Sequence, residues 1–428
     1  MEMGVSGFES LPESIILQIF EDFIADPKDV AVLSAVCVRF SKLAWQQLKT
    51  LRCGQRFFEC YDEQVVTGII LHTTGLRALE LEPSPFHRWM WPTWLKHAHT
   101  SLESLSATFK SWAGNVEPIL KPIFTLCFRL QYLSLNIWSS NIRKVPIHMY
   151  PPLKKLLYLN LGWVHTSTDQ IADLLMLTPS LKELKLDFVQ CDGAVLTIAS
   201  LTLENVYVTH RSHVVKRPGS IRFSCPRLMH LEVGGVDEVI IVGGSQLRQL
   251  TLFMASDMDV QFGDARTVEV LKVLSVVDNV NPWVSWQRLK GFLDRFGNSL
   301  KVLEIGAVKL KGVLLACGPR REAICLHDLL KSLRTMESVI FHSVAFASIA
   351  DSLTQVMLSH PKECELLWWR APFILPKIRS ITVRWYVNLP LIHNAEALSA
   401  FLRNSFPAVR VEVKFSEDHG FSAWEKPK

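Results

Sequence analysis

From residue 76 onward the chain keeps returning to one short phrase, apolar-x-x-apolar-x-apolar. It stands as LRALEL (76–81), LESLSA (102–107), LQYLSL (130–135), LLYLNL (156–161) and LKELKL (181–186). It continues as LENVYV (203–208), LMHLEV (228–233), LRQLTL (247–252), LKVLSV (271–276) and LKVLEI (300–305), then MESVIF (336–341), IRSITV (378–383) and FPAVRV (406–411). A single match means little, because with 49% apolar residues three such positions coincide by chance about one time in eight. The spacing constrains the fold. Successive starts differ by 26, 28, 26, 25, 22, 25, 19, 24, 29, 36, 42 and 28 residues, and a period of roughly 20–50 residues marks an array of stacked supersecondary units.

The text between the phrases fits such an array. DQIADLLMLTPSLKELKL reads as helix, breaker at Pro179, then strand. WVSWQRLKGFLDRFGNSLKVLEI repeats the scheme with Gly297 at the helix end, and NAEALSAFLRNSFPAVRVEV closes it. Each unit is expected to supply one short parallel strand and one outer helix. No unit could bury a core alone, but a stack of them could. The pattern resembles leucine-rich repeats, although the usual Asn after the strand is mostly missing. The stretches 310–330 and ELLWWRAPFILP (365–376) read as insertions. The resemblance implies an α/β solenoid over residues 76–415, an irregular horseshoe with parallel inner strands and outer helices. A doubly wound α/β enzyme would also alternate strand and helix. It would need continuously apolar crossover strands and a glycine-rich ligand turn, and the sequence offers neither.

The first fifty residues are written differently. Ser10-Leu11-Pro12-Glu13 is a capping box with Pro12 in the first turn. Ile15, Ile16, Ile19, Phe20 and Phe23 follow at helical spacing. Asp26-Pro27-Lys28-Asp29 opens a second helix carrying Val30, Val32, Leu33 and Val36, and a third holds Phe40, Leu43, Ala44, Trp45 and Leu48. Three short helices bury too little surface to stand alone.

In order, Leu11, Pro12, Ile19, Phe20, Asp26, Pro27, Asp29, Val36, Cys37, Arg39 and Phe40 resemble an F-box over about residues 10–50. Ile24-Ala25 lengthen the first link, and Val38 stands where a basic residue is usual. The resemblance implies docking on a Skp-type adaptor and, through it, on a cullin-RING ubiquitin ligase. The residues it implies for that docking are Leu11, Pro12, Ile16, Ile19, Phe20, Pro27, Leu33, Val36, Cys37 and Phe40. A preformed helical unit with leftover apolar surface suits helix-in-groove docking. The alternative is that these helices only cap the repeats of a non-catalytic scaffold. The domain plan is then a disordered stretch at 1–9, F-box helices at 10–50, a linker or first partial repeat at 51–75, the repeats at 76–415 and a polar tail at 416–428.

Composition excludes several functions. Forty-six basic residues against 41 acidic ones give a net charge of +5 with no run of Lys or Arg, so neither a nucleic-acid groove nor an anionic membrane patch is expected. No apolar run reaches the length of a bilayer span, and the first ten residues lack a secretory pattern. Nine cysteines, an odd number without Cys-x-x-Cys, fit reduced thiols in the cytosol or nucleus.

HExxH, GxSxG, GxxxxGK[ST] and GxGxxG are all absent, and no cofactor or metal site is expected. His97 and His99, like His210 and His213, lack further ligands nearby. Cys317 and Cys325 lie near Arg320 and Arg321 without an adjacent base. Trp89, Trp91, Trp94, Trp368 and Trp369 are the type found at interface hot spots, but more simply they fill gaps between irregular repeats.

In the strand register, residues alternating with the leucines point to the opposite face of the sheet. The candidates there for binding a target protein are Tyr132, Asn136, Tyr158, Glu183, Lys185, Asp187, Tyr207, His230, Glu232, Phe253, His342 and Arg384. Ser134, Asn160, Thr251, Glu304 and Thr382 share the alternation.

Overall fold

A computed structural model describes residues 11–23, 30, 32–33, 35–36, 38–54, 63–81, 90–109, 114–142, 145–187, 190–191, 195–209, 219–254, 258–275, 284–306, 308–309, 336–342, 379–386, 403 and 410–416. The chain forms two compact units, Met1–Leu203 with Val214–Lys216, and Glu204–His213 with Arg217–Lys428. Both are α/β arrangements built on parallel strands.

In the first unit six strands pair side by side in chain order. They are Thr50–Cys53, Ala78–Leu81, Ser104–Phe109, Tyr132–Asn141, Tyr158–Thr166 and Glu183–Asp187, all parallel. A parallel neighbour needs a crossover: the helices Glu63–His72, Trp91–Ala98, Glu117–Leu126 and Thr168–Leu177 lie in four of the five, and the short 3-10 turn Ile147–Met149 lies in the one between Tyr132–Asn141 and Tyr158–Thr166.

The phrase explains the core. Its fourth residue forms one column, Leu51, Leu79, Leu105, Leu133, Leu159 and Leu184, fully buried throughout. Its sixth forms a second buried column of Cys53, Leu81, Ala107, Leu135, Leu161 and Leu186. Its second residue supplies a carbonyl that accepts two N–H groups from the next repeat. Lys49 thus takes Arg77 at 2.7 Å and Ala78 at 2.9 Å, and Arg77, Glu103, Gln131 and Leu157 do the same in turn. The backbone groups just ahead of every strand are thereby satisfied.

The sheet starts one phrase before the sequence reading placed it. LKTLRC (48–53) is itself an apolar-x-x-apolar-x-apolar phrase, and its Leu51 aligns with Leu79. The Thr50–Cys53 strand is thus the first of this sheet, at the junction of the segment expected to be helical and the one expected to be a linker or first partial repeat.

In the second unit eight parallel strands also pair in chain order: Asn205–Thr209, His230–Gly234, Gln249–Met254, Val270–Ser275, Val302–Ile305, Ser338–His342, Ser380–Tyr386 and Arg410–Ser416. Two phrases shift register here. Leu271 aligns with Leu250 and Leu303 as a fourth residue, so the true phrase is VEVLKV (268–273) rather than LKVLSV. Likewise Val411, not Val409, aligns with Ile381.

One expectation fails outright in this unit. Between the inner strands, Ser220–Ser224, Glu238–Val242 and Asp259–Phe262 are strands in place of outer helices, and they make a second parallel sheet. For Glu238–Val242 the cause lies in the sequence. Only 19 residues separate Leu228 from Leu247, too few for a strand, a helix of about ten residues and two connections. The run Val239-Ile240-Ile241-Val242 favours a strand. Gly243 and Gly244 then turn the chain at φ +81° and +77°, a region that side chains disfavour. A helix returns at Trp286–Phe296, where the spacing lengthens.

Candidate functional site

Two regions carry the residues singled out by sequence, and the first is the helical start of the chain. The first helix, Glu13–Phe23, begins as expected: the Pro12 carbonyl accepts the N–H groups of Ile15 at 3.0 Å and Ile16 at 3.3 Å. Ser10 of the expected capping box lies outside the described residues. Phe20 meets Phe40 of the helix Val38–Gln47 edge to face, with centroids 5.2 Å apart. The Arg39 guanidinium donates to the Leu11 carbonyl at 2.9 Å and ties the starts of these two helices together.

This packing divides the ten candidate docking residues. Ile16, Phe20 and Phe40 are buried and serve the interior of the helices, not an exposed surface. Leu11 and Leu33 are half-buried. Pro12 is exposed and Val36 is 61% exposed. Two neighbours absent from the ten, Val32 at 69% and Ile15 at 42%, are also exposed. Pro27, Cys37 and the side chain of Ile19 lie outside the described residues. A stripe of helical periodicity does not say which members face inward. Val32 could have been flagged as apolar yet out of phase with buried Val30.

The second region is the polar face of the sheets. In the first unit the register sets out three rows. Ser104, Tyr132, Tyr158 and Glu183 form one, Ser106, Ser134, Asn160 and Lys185 the next, and Thr108, Asn136, Gly162 and Asp187 the third. Tyr132 and Tyr158 stack with centroids 4.2 Å apart and planes 4° apart. Burial, then Tyr132, then the carboxylates of Glu183 and Asp187, hold the Tyr158 phenol well above the usual tyrosine range. Lys185 pairs with Asp187 at 3.5 Å. Beneath the rings Asn160 donates to Ser134 Oγ at 3.0 Å, and both side chains are buried. A Cβ on Gly162 would lie 2.0 Å from Asn136 Oδ1, so this glycine leaves room for the Asn136 amide. All six candidates of this unit thus share one face. Sequence reading missed Arg52 and Glu80, which extend the second row as an ion pair at 3.0 Å. The phrase LKTLRC was the available signal.

In the second unit Tyr207 and Glu232 are register partners, and His230 lies in the adjoining row with Asn205 and Gln249. All three are half-buried. Phe253 is a correction, since it is buried against Gly234, where an added Cβ would fall 2.5 Å from the Phe253 Cβ. Thr251 and Glu304 are buried too, and Lys272 reaches Glu304 at 3.3 Å. His342 and Arg384 occupy matching positions on neighbouring strands, while their side chains lie outside the described residues.

The remaining sequence candidates resolve into structural roles or lie outside the described residues. Trp94 is buried and donates to Thr67 Oγ1 at 2.9 Å, and buried Trp91 donates to the Ile119 carbonyl at 3.1 Å. His97 contacts the Thr73 carbonyl at 3.2 Å, and His99 the Lys96 carbonyl at 2.7 Å. Trp89, Trp368, Trp369, His210, His213, Cys317 and Cys325 lie outside the described residues. Among the described residues no three His, Cys, Asp or Glu side chains gather to hold a metal ion, and no helix is long and apolar enough to cross a membrane.

Cys53, Cys127 and Cys225 are buried and in no disulfide, and burial pushes the first two thiols up to about 12. A thiol with a raised folded pKa stabilises the fold below its unfolded pKa of about 8.5–9, and that stability fades as pH rises toward 12. At pH 8 an alkylating reagent is expected to leave Cys53, Cys127 and Cys225 unmodified in native protein and to modify all three in guanidinium. Peptide mapping reads the result.

No protein-family model matches this chain, and no curated protein matches it.

Proposed function

We propose that this chain is the substrate-receptor subunit of a cullin-RING ubiquitin ligase. Its F-box-like helices dock on a Skp-type adaptor, and its sheets, read as an irregular leucine-rich-repeat horseshoe, hold a target protein. The observation that carries the docking half is the exposure of Pro12, Ile15, Val32 and Val36 ahead of the first strand. Helices so short and so incompletely covered gain from a second polypeptide that buries them. The repeat reading is supported by the chain-order pairing of parallel strands and by the two buried columns of the first unit. In this role the chain performs no bond chemistry. It raises the effective concentration of a substrate lysine beside ubiquitin charged on the conjugating enzyme, in the cytosol or nucleus.

The test is binding of purified full-length chain to the adaptor. Val36→Glu and the double variant Leu11→Ala/Pro12→Ala are each expected to weaken it by at least about tenfold, since an apolar anchor at an interface contributes on the order of 1.4 kcal/mol or more. Val36 is exposed, so the thermal midpoint should not move. Equal binding by wild type and both variants would leave the helices as a cap on a non-catalytic scaffold and end the ligase reading.

A further inference from the structure

The stacked tyrosines of the first unit have one covered flank and one open one. Tyr132 and Tyr158 are register partners on adjacent strands. Parallel rings 4.2 Å apart across strands about 4.8 Å apart stand edge-up on the sheet, with their faces looking along the strand-to-strand direction. Tyr158 has Tyr132 on one side and Glu183 on the other. Tyr132 has Tyr158 on one side, while on the other the next register positions are Ser104 and then Ala78. Both are small, and Tyr132 is 36% exposed.

One row along the same strands, Ser106 is followed by Glu80 and then Arg52. Tyr132 and Glu80 therefore stand two strands apart and one row along, about 11–12 Å between their backbones, across a floor of Ser104 and Ser106. Arg52 engages one oxygen of Glu80 at 3.0 Å from a side chain that is 74% exposed, leaving the second oxygen for another donor. A planar group lying on the Tyr132 ring fits this width.

The charges choose among planar groups. Among the described residues of these rows stand three carboxylates, Glu80, Glu183 and Asp187, against two cations, Arg52 and Lys185, and each cation is already paired with a carboxylate of the same face. An anion would be repelled. An apolar ring would desolvate Glu80 without a new donor. A guanidinium stacks on an aromatic face and offers five N–H donors to a carboxylate and hydroxyls, where an ammonium makes only a point contact. We propose that the slot between Tyr132 and Glu80 takes an arginine side chain of a partner polypeptide. This deepens the target-recognition half of the proposed function, and it is tested without the adaptor, so the two can fail separately.

The test is saturation-transfer NMR on the full-length chain with the blocked pentapeptide Gly-Gly-Arg-Gly-Gly and its citrulline and lysine counterparts. The arginine peptide is expected to bind saturably, with citrulline at least about tenfold weaker and lysine several-fold weaker. Tyr132→Ser should weaken arginine binding about tenfold and Glu80→Gln about threefold, while Tyr132→Phe keeps the ring and the affinity. An unchanged thermal midpoint in Tyr132→Ser and full binding by Tyr132→Phe show that the sheet is intact. Absence of saturable binding, equal binding of the citrulline or lysine peptide, or an unaltered affinity in Tyr132→Ser overturns the proposal.

Discussion

Leu159→Ala is expected to destabilise the first unit by about 2–5 kcal/mol, the range for deleting a fully buried leucine that leaves a cavity. Leu159 is fully buried, with Leu133 and Leu184 at the same level on its two neighbours. The effect should reach the upper part of the range because Leu159 has a buried leucine beside it on each neighbouring strand, so the cavity opens contacts on both sides. Urea unfolding followed by circular dichroism reads the loss as a lower midpoint. Tyr158→Phe, one residue away on the opposite face and half-buried, is the control and should shift the midpoint far less. A Leu159→Ala midpoint equal to wild type would mean that the leucine column is not the core described above.

Gly234→Ala is the second large effect, expected at about 1–3 kcal/mol through overpacking. The new methyl would meet the Phe253 Cβ at 2.5 Å and two of its ring carbons at 3.2 Å. A Cβ cannot swing aside as the end of a long side chain can, so the backbone of the strand Gln249–Met254 must move. The same methyl at Gly162 would meet the Asn136 amide, Oδ1 at 2.0 Å and Cγ at 3.0 Å, a group that can rotate, and would stand at an ordinary 3.5 Å from the Asn136 Cα. Gly162→Ala is therefore expected to cost less. The denaturation midpoints of the two variants make the comparison, and the reverse order would show that Phe253 is not seated over Gly234.

The parallel strands were legible because the sequence writes each of them with the same three apolar positions. Register was less legible where apolar residues are too dense. In VEVLKVLSV Val268, Leu271 and Val273 satisfy the phrase, and so do Leu271, Leu274 and Val276. Only hydrogen bonding to Leu250 and Leu303 on the neighbouring strands selects the first. The outer strands at 220–262 were missed because a repeat was taken to include a helix, although the short intervals and the β-branched run at 239–242 argued otherwise. At the N-terminus, chemistry named the apolar residues but not their direction. Phe20 and Phe40 satisfy each other edge to face, and Val36, in the turn just ahead of the second of their helices, is left outside. Exposure, rather than residue type, separates a docking side chain from a core one. The arginine slot was illegible for a different reason. It depends on Tyr132 and Glu80, 52 positions apart, being set two strands apart by pairings that the sequence alone does not show.

Pairing in chain order has a consequence for how the molecule is made. Within the first unit a described strand finds its partner about two dozen residues upstream, and nothing it pairs with in the sheet lies further back. Loop closure over such short separations is fast. A chain leaving the ribosome at about 5–20 residues per second can thus add each turn onto the finished edge within seconds of its synthesis. Greasy surface is then left bare only at the growing tip.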